Sequence, residues 1–307
     1  MHSTDWNGLQ SGRIERQPRL STRVVVAALT FMVMGLFPMP SHAWWGNSHG
    51  IMTQAAVLAQ PQEVPAFFRK SADAVAHMSF DPDIAKNRAA SNLYDSEFPE
   101  HYFDLELLKG EEAPDKRHAF IELCNRLGVG PSDVGYAPYA ITESTQRLMI
   151  AFAEHRKWPD NQMIQSKILV YAGILAHYAE DLAQPLHATI DFDGRLNDAG
   201  EKEQVGIHEA MDSIIERLEM KPDKLALEVS VAAIEGDLFA AVLAQAYESN
   251  GKVDDLYELA EGLDPVSEQG KLFAEERARR AVAFTARLYL TAWQRSAAVR
   301  LPGWLER

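Results

Sequence analysis

The amino-acid sequence predicts an all-α fold, a single compact multi-helix domain, and three observations support this fold class. Apolar residues recur every three or four positions, most regularly over 164–182, as they do on the buried face of a helix. The sequence has no run in which β-branched and polar residues alternate, which is the pattern of a half-buried strand. The connecting segments contain Gly, Pro, Asn and Asp, which end helices and form turns.

Each helix is located by its apolar spacing and by the residues at its ends. Pro185 follows the regular apolar stripe and ends that helix. Asp264 before Pro265 is typical of an N-cap followed by proline at the first helical position. The charged run at 275–280 is typical of a solvated helix face. The predicted helices cover about 49–59, 64–77, 116–127, 138–157, 162–183, 207–219, 222–249 and 265–300.

The N-terminal segment has the pattern of an export signal. An uncharged run of 14 residues, 24–37, follows four arginines. This run is shorter than the roughly 20 apolar residues of a transmembrane helix and has the length of a signal-peptide core. Ser41 and Ala43 then supply the small residues of a cleavage site. We expect residues 1–43 to be a signal peptide and 44–307 to be an exported (periplasmic or secreted) domain without an integral membrane segment. The alternative is that 24–37 forms a single anchoring helix.

The charge balance limits the kinds of partner. The chain has 307 residues, with 30 Lys and Arg against 44 Asp and Glu, and its formal net charge is −14. This balance argues against broad charge-driven binding to nucleic acid or to an anionic membrane. A phosphate-handling enzyme that takes its positive charge from bound metal ions remains possible. The single cysteine, Cys124, cannot form an internal disulfide. Nothing in the sequence indicates an obligate protein partner.

Histidine and aspartate recur at spacings that suit metal binding. His177 and Asp181 are four residues apart on a predicted helix, so their side chains share one face. His208 and Asp212 form a second such pair, and His187 lies just beyond the helix end. Any one of these histidines is more often a hydrogen-bonded core residue, but the combination predicts a metal site. Imidazole and carboxylate ligands together suit zinc.

With these residues in place, the sequence resembles the superfamily of zinc-dependent phospholipases C and single-strand-specific zinc nucleases. Members of that superfamily are exported all-helical enzymes with three zinc ions. The resemblance covers residues 44–212, and its motifs are Trp44 with His49, Asp83-x-x-Lys86, His101-Tyr102-x-Asp104, His177-x-x-x-Asp181 with His187, and His208-x-x-x-Asp212.

The resemblance implies three metal sites. The first would be held by Asp83, His101, His177 and Asp181, and the second by His187, His208 and Asp212. The third would be held by His49, Asp181 and the amino group and carbonyl of Trp44, which become a chain end only after signal cleavage. Asp181 would then bridge the first and third ions. Asp81 competes with Asp83 as a ligand, and only the spacing to Lys86 favours Asp83.

The resemblance also implies an activity, the metal-assisted hydrolysis of phosphodiester bonds. Asp83, Asp181 and Lys86 would be the catalytic residues, with Lys86 neutralising charge on the phosphoryl oxygens. Tyr102 would stack on a base and Asp104 would accept a hydrogen bond from it, although both residues could equally pack around and orient His101.

The substrate is the open part of this prediction. The short spacing from Trp44 to His49 favours a nuclease that acts on single-stranded nucleic acid. Residues 191–197 lack the paired glycines before asparagine that are usual in the nucleases, which favours a phospholipase C-type hydrolase of phospholipids or of another phosphate ester. The third possibility is an exported helical binding protein without catalysis.

Overall fold

The computed structural model describes Trp44 and residues 46–306, and one long helix occupies the centre of this part of the chain. In chain order the α-helices are α1 (Gly46–Leu58), α2 (Ala66–Arg69), α3 (Ala72–Met78), α4 (Asp81–Ala85), α5 (Ser91–Glu97), α6 (Arg117–Leu127), α7 (Pro131–Val134), α8 (Ala137–Lys157), α9 (Gln162–Ala183), α10 (Ile207–Asp212), α11 (Ile214–Arg217), α12 (Pro222–Leu227), α13 (Leu238–Asn250), α14 (Val253–Glu258) and α15 (Glu268–Arg295). Short 3-10 helices span Phe98–His101, Leu105–Leu108, Pro185–His187, Ala260–Gly262 and Ser296–Ala298.

The predicted all-α class is confirmed. Within the described residues, the strands are limited to β1 (Arg195–Leu196) and β2 (Lys202–Glu203), which pair antiparallel as one short hairpin. None of the described helices is long and apolar enough to cross a membrane. The signal peptide predicted for residues 1–43 lies outside the described residues.

The C-terminal half of the central helix α9 is buried on nearly every side. The side chain of Asn161 caps the start of the helix by accepting hydrogen bonds from the backbone N–H groups of Met163 and Ile164. Gln184 is extended and Pro185 follows, so the helix stops there. Helices α1, α3, α8 and α15 all pack against α9. Polar residues on its C-terminal half are therefore held inside the protein.

One glycine allows α3 to lie directly against α9. A Cβ atom at Gly173 would lie 2.4 Å from Cβ of Met78 and 2.6 Å from its carbonyl carbon, and neither atom belongs to a flexible side-chain end. Only glycine allows this approach. As a result, the end of α3 and the backbone carbonyl of Ser79 reach the face of α9 that carries His177.

Aromatic residues from several helices pack together in the core around α9. Phe68 makes edge contacts with Phe152 and Tyr289, at centroid distances of 5.7 and 5.3 Å. The hydroxyl of Tyr289 donates a hydrogen bond to the carbonyl of Ala172 at 2.9 Å. Burial of each such ring stabilises the fold by roughly 1.5–3 kcal/mol.

Four of the predicted helices differ in the structure. The helix expected over 64–77 is divided into α2 and α3, and the one over 207–219 is divided at Ser213. The helix expected over 222–249 is interrupted by residues 228–237, which end in Gly236, with a positive φ of 72°, and Asp237, which caps α13. The last long helix begins at Glu268 and not at Pro265, because Ser267 is the residue that caps it.

One electrostatic prediction is also wrong. Arg277 belongs to the charged run 275–280, which was expected to be solvated, but its side chain is fully buried. It faces α13, where its guanidinium group is bound by Glu248.

Candidate metal centre

The buried end of α9 carries the pair His177 and Asp181. Both side chains are fully buried, and His177 Nε2 lies 3.3 Å from Asp181 Oδ2. His177 Nδ1 lies 2.7 Å from the carbonyl oxygen of Ser79, an acceptor, so Nδ1 carries the proton and donates it. The lone pair of His177 is therefore on Nε2, which faces into the cluster.

His101 and Asp83 meet this pair from the other side. His101 ends a 3-10 helix, and its Nδ1 lies 2.9 Å from Asp181 Oδ2 and 3.1 Å from His177 Nε2. Asp83 lies in the first turn of α4, and its Oδ1 is 3.6 Å from His177 Nε2 and 2.6 Å from Nζ of Lys86. Asp83, His101 and His177 form a group whose ligand atoms are close enough to hold one metal ion. Asp81 belongs to none of the metal-binding groups found in the described residues.

A second group consists of His187, His208 and Asp212. Pro185 turns the chain after α9 so that His187 Nδ1 donates to the carbonyl of His101, at 2.8 Å. His208 and Asp212 lie one turn apart on α10, with His208 Nε2 3.2 Å from Asp212 Oδ2. The other oxygen of Asp212 accepts a hydrogen bond from the Gln184 side chain at 2.8 Å.

A third group consists of His49, His177 and Asp181. His49 Nε2 lies 3.2 Å from Asp181 Oδ1, and the imidazole rings of His49 and His177 stack with centroids 4.0 Å apart. Trp44 is fully buried beside this group, and its indole N–H donates to the backbone carbonyl of Glu180 at 3.1 Å. Residues 43 and 45 lie outside the described residues, so the predicted role of the Trp44 amino group remains a prediction.

The nitrogen and oxygen atoms of these groups are better placed to bind a cation than to hydrogen-bond to one another. His187 Nε2 and His208 Nε2 lie 3.1 Å apart, yet Nδ1 of His187 already donates to a carbonyl and His208 hydrogen-bonds to the backbone of Phe192. Burial lowers the pKa of both histidines, which favours neutral rings. Two neutral rings with their protons on the far nitrogens present two lone pairs to each other. A metal ion between them would satisfy both.

Buried oxygen and nitrogen atoms without hydrogen-bond partners also indicate a cation site. His49 Nε2, Asp181 Oδ1 and Asp212 Oδ2 are buried and make no hydrogen bond. Burial raises the pKa of Asp212 well above its ordinary range, and the hydrogen bond from Gln184 offsets only part of the cost of burying its charge. Buried polar atoms are normally satisfied, so this group of exceptions indicates a site for cations. The buried His and Asp groups can hold metal ions.

Tyr102 and Asp104 lie beside the centre and not in it. The Tyr102 hydroxyl donates to the carbonyl of Ser132 at 2.6 Å, and its half-buried ring makes an edge contact with Phe98. Asp104 is half-buried, and burial raises its pKa to about 8. Its carboxyl group carries a proton at neutral pH and can donate a hydrogen bond as well as accept one.

Three residues that contact the predicted ligands were missed by the sequence analysis: Glu97, Glu180 and Gln184. Glu97 lies four residues before His101, and its carboxylate is 3.6 Å from His101 Nε2. Glu180 lies next to Asp181 on the buried C-terminal half of α9, and a charged residue in that largely apolar stretch was the one available signal. The contact of Gln184 with Asp212 depends on tertiary structure alone.

Comparison with protein families and with curated sequences identifies no relative of this protein. No protein-family model matches the chain, and no curated protein sequence matches it. The resemblance to zinc phospholipases and nucleases therefore rests on the spacing of the residues described above.

Proposed function

We propose that this protein is an exported zinc-dependent phosphodiesterase with three metal ions that cleaves single-stranded nucleic acid. The observation that carries the proposal is that imidazole and carboxylate side chains form three groups, each able to hold a metal ion, with His177 common to two of them. Their facing lone pairs and unpartnered atoms call for cations in the protein interior.

The donor set favours zinc among the biological cations. Each group combines histidine nitrogen with carboxylate oxygen. Calcium and magnesium prefer all-oxygen sites, whereas zinc binds nitrogen and carboxylate oxygen in low-coordinate sites. When bound, such ions polarise phosphoryl oxygens and lower the pKa of water.

The protein's own residues would arrange the substrate and the ions. The two oxygens of Asp181 face different partners, His49 on one side and the pair His101 and His177 on the other, so its carboxylate can bridge two ions. Lys86 holds its ammonium group against Asp83 at the edge of the centre. From there it can neutralise negative charge on a bound phosphoryl group.

Aromatic side chains beside the centre favour nucleic acid as the substrate. Tyr94, Phe98 and Tyr102 are spaced four residues apart and are partly exposed, and the rings of Tyr94 and Phe98 stack at 5.5 Å. The guanidinium group of Arg88 lies 5.6 Å over the Tyr94 ring. Aromatic rings that bases can stack on, together with a cation for phosphate, are the usual means of binding single strands.

The test is hydrolysis of single-stranded DNA and RNA oligonucleotides by protein purified with Trp44 as its first residue. We expect cleavage that stops in the presence of a chelator and returns when zinc is added. Duplex DNA of the same sequence is the matched control and should be cleaved more slowly. Failure of the zinc-loaded protein to cleave either single strand would contradict the nuclease proposal.

A second candidate substrate, phospholipid, is favoured by a different observation. The segment between His187 and His208 exposes four large apolar side chains, and the Phe192 ring lies 6.1 Å from the His208 ring. An apolar surface beside a metal centre suits a lipid substrate. Hydrolysis of phosphatidylcholine vesicles by the same zinc-loaded protein, without oligonucleotide cleavage, would replace the first proposal by this one. The four side chains are Ile190, Phe192, Leu196 and Val205.

A further inference from the structure

We propose that Glu180 is a positioning residue for the metal ion held by His49 and Asp181; this inference rests on the metal centre of the proposed function. Glu180 is fully buried on α9. Its Oε2 accepts a hydrogen bond from His49 Nδ1 at 2.9 Å, and its Oε1 accepts one from the Thr53 hydroxyl at 3.0 Å. Both partners lie one turn apart on α1, so the carboxylate is fixed at both oxygens.

The contact with His49 determines which nitrogen of that ring is available to a metal. Because Oε2 of Glu180 is an acceptor, Nδ1 of His49 carries a proton, and Nε2 is the nitrogen that a metal ion would take. Nε2 faces Asp181 Oδ1 at 3.2 Å and makes no hydrogen bond. Glu180 thereby holds the ring in the tautomer and orientation that a metal ligand needs.

A neutral acceptor would have been enough to orient the ring, and other histidines of the centre use one. His177 donates to the carbonyl of Ser79, and His187 donates to the carbonyl of His101. A fully buried carboxylate costs far more to bury than a carbonyl group does. Its negative charge is useful where it makes the imidazole more basic and balances the charge of a bound cation. The use of glutamate at His49 therefore indicates that this ion depends on the added charge.

Glu180 also binds Trp44, the first residue of the chain that the structure describes. Its backbone carbonyl accepts the indole N–H of Trp44, whose side chain is fully buried. One residue of α9 thus holds both Trp44 and His49, the two residues expected to complete the third ion site with Asp181. Loss of the carboxylate would remove the contact with His49 and leave the backbone contact with Trp44, so it should weaken that ion and leave the other two.

The test is the zinc content of three variants after dialysis against buffers of fixed free zinc. We expect the wild type to retain three ions per chain, and E180Q to bind one of the three at least about 10-fold more weakly, with the other two unchanged. E180D keeps the charge but has a side chain one methylene shorter, so its carboxylate lies farther from His49 and it should lose part of that affinity. It replaces E180Q in the test if E180Q folds poorly. T53V is the matched control, because it removes one hydrogen bond from Glu180 and keeps its charge, and it should retain nearly all of the third ion.

Thermal unfolding in chelator and in zinc separates positioning from ordinary structural support. If Glu180 acts on the ion, E180Q in chelator should melt at or above the temperature of the wild type, since a buried charge has been removed, while the rise in melting temperature on adding zinc becomes smaller. Three tightly held ions in E180Q, or an equal loss of stability with and without zinc, would overturn the inference and leave the proposed function intact. A wild type that binds no zinc would instead overturn the metal centre itself.

Discussion

Two buried charged clusters in this protein are built in opposite ways. In the first, Arg277 of α15 is fully buried, but its guanidinium group donates to both carboxylate oxygens of Glu248 at 2.7 and 3.2 Å and to both of Glu276 at 2.7 Å. The buried cation faces two acids that are partly exposed to solvent, and a second cation, Arg280, lies 3.4 Å from Glu248. This cluster satisfies its own charges.

The candidate metal centre leaves some of its buried polar atoms without partners. It buries Asp181, Asp212 and Glu180 completely, and one oxygen each of Asp181 and Asp212 makes no hydrogen bond. Burial lowers the pKa of His187 and raises that of Asp212, so both shift toward their neutral forms without a cation. The difference shows how a structural ion-pair cluster can be distinguished from a candidate ligand site: the charged groups of the first bind one another, whereas the second leaves buried nitrogen and oxygen atoms that a bound cation would satisfy.

The largest effect is expected from Asp181→Asn, because the two oxygens of Asp181 face different histidines and its carboxylate would bridge two ions of the proposed centre. Its loss should remove two ions and reduce phosphodiester hydrolysis by more than the roughly 100-fold that loss of an outer hydrogen-bond partner can cost. His49→Ala, which touches one group, is the comparison variant and should lose one ion. Metal analysis of both variants checks the bridging role, and equal zinc loss in the two would contradict it.

Metal removal should reveal the difference between the clusters directly. Ions that bind only the folded state stabilise it by about 4 kcal/mol when their free concentration is 1,000 times the dissociation constant. Chelation should therefore lower the melting temperature of the wild type markedly, and zinc should restore it. A melting temperature that is the same with chelator and with zinc would mean that the buried imidazoles are satisfied without ions.

The parts of this centre that helix spacing alone predicted lie close together in the chain, whereas His49, Asp83 and His101 were predicted only through the family resemblance. The pairs His177 with Asp181 and His208 with Asp212 follow from helix periodicity, and His187 follows from the proline that ends α9. The structure places all of them together, with His49, His101 and Asp83. Glu180 could not be assigned a role from sequence, because its partner Thr53 lies 127 residues away.

The errors in the fold prediction also have identifiable causes. Helices α4, α5 and α14 have fewer than eight residues each, too short for an apolar period to stand out. The burial of Arg277 depends on α13 packing beside it, and nothing in the charged run itself distinguishes that arginine from its exposed neighbours.

Arg277→Met should destabilise the fold without changing metal content. Removal of the buried cation takes away the hydrogen bonds that Glu248 and Glu276 accept from it. Glu248 keeps its contacts with Gln245 and Arg280, and both acids are partly solvated. We therefore expect a loss of about 2 kcal/mol, less than for a fully buried pair. Urea unfolding measures the loss, and metal analysis should still find three ions. A variant that also loses zinc would show that the two clusters are coupled and that the comparison between them is too simple.

The smallest effect concerns Asp104, a single acid beside the centre that has neither an ion-pair partner nor a place among the metal groups of the described chain. Burial, with a smaller contribution from the charge of Glu106, raises its pKa to about 8. Between its ordinary pKa of about 4 and pH 8 the folded state holds a proton that the unfolded state has released, so stability falls as the pH rises through this range and then levels off. Asp104→Asn removes this dependence. In chelator, the stability of Asp104→Asn relative to the wild type should grow from pH 4 to pH 8. A constant difference across that range would mean that Asp104 is ionised at neutral pH, and its hydrogen bonding to a substrate would then be limited to accepting.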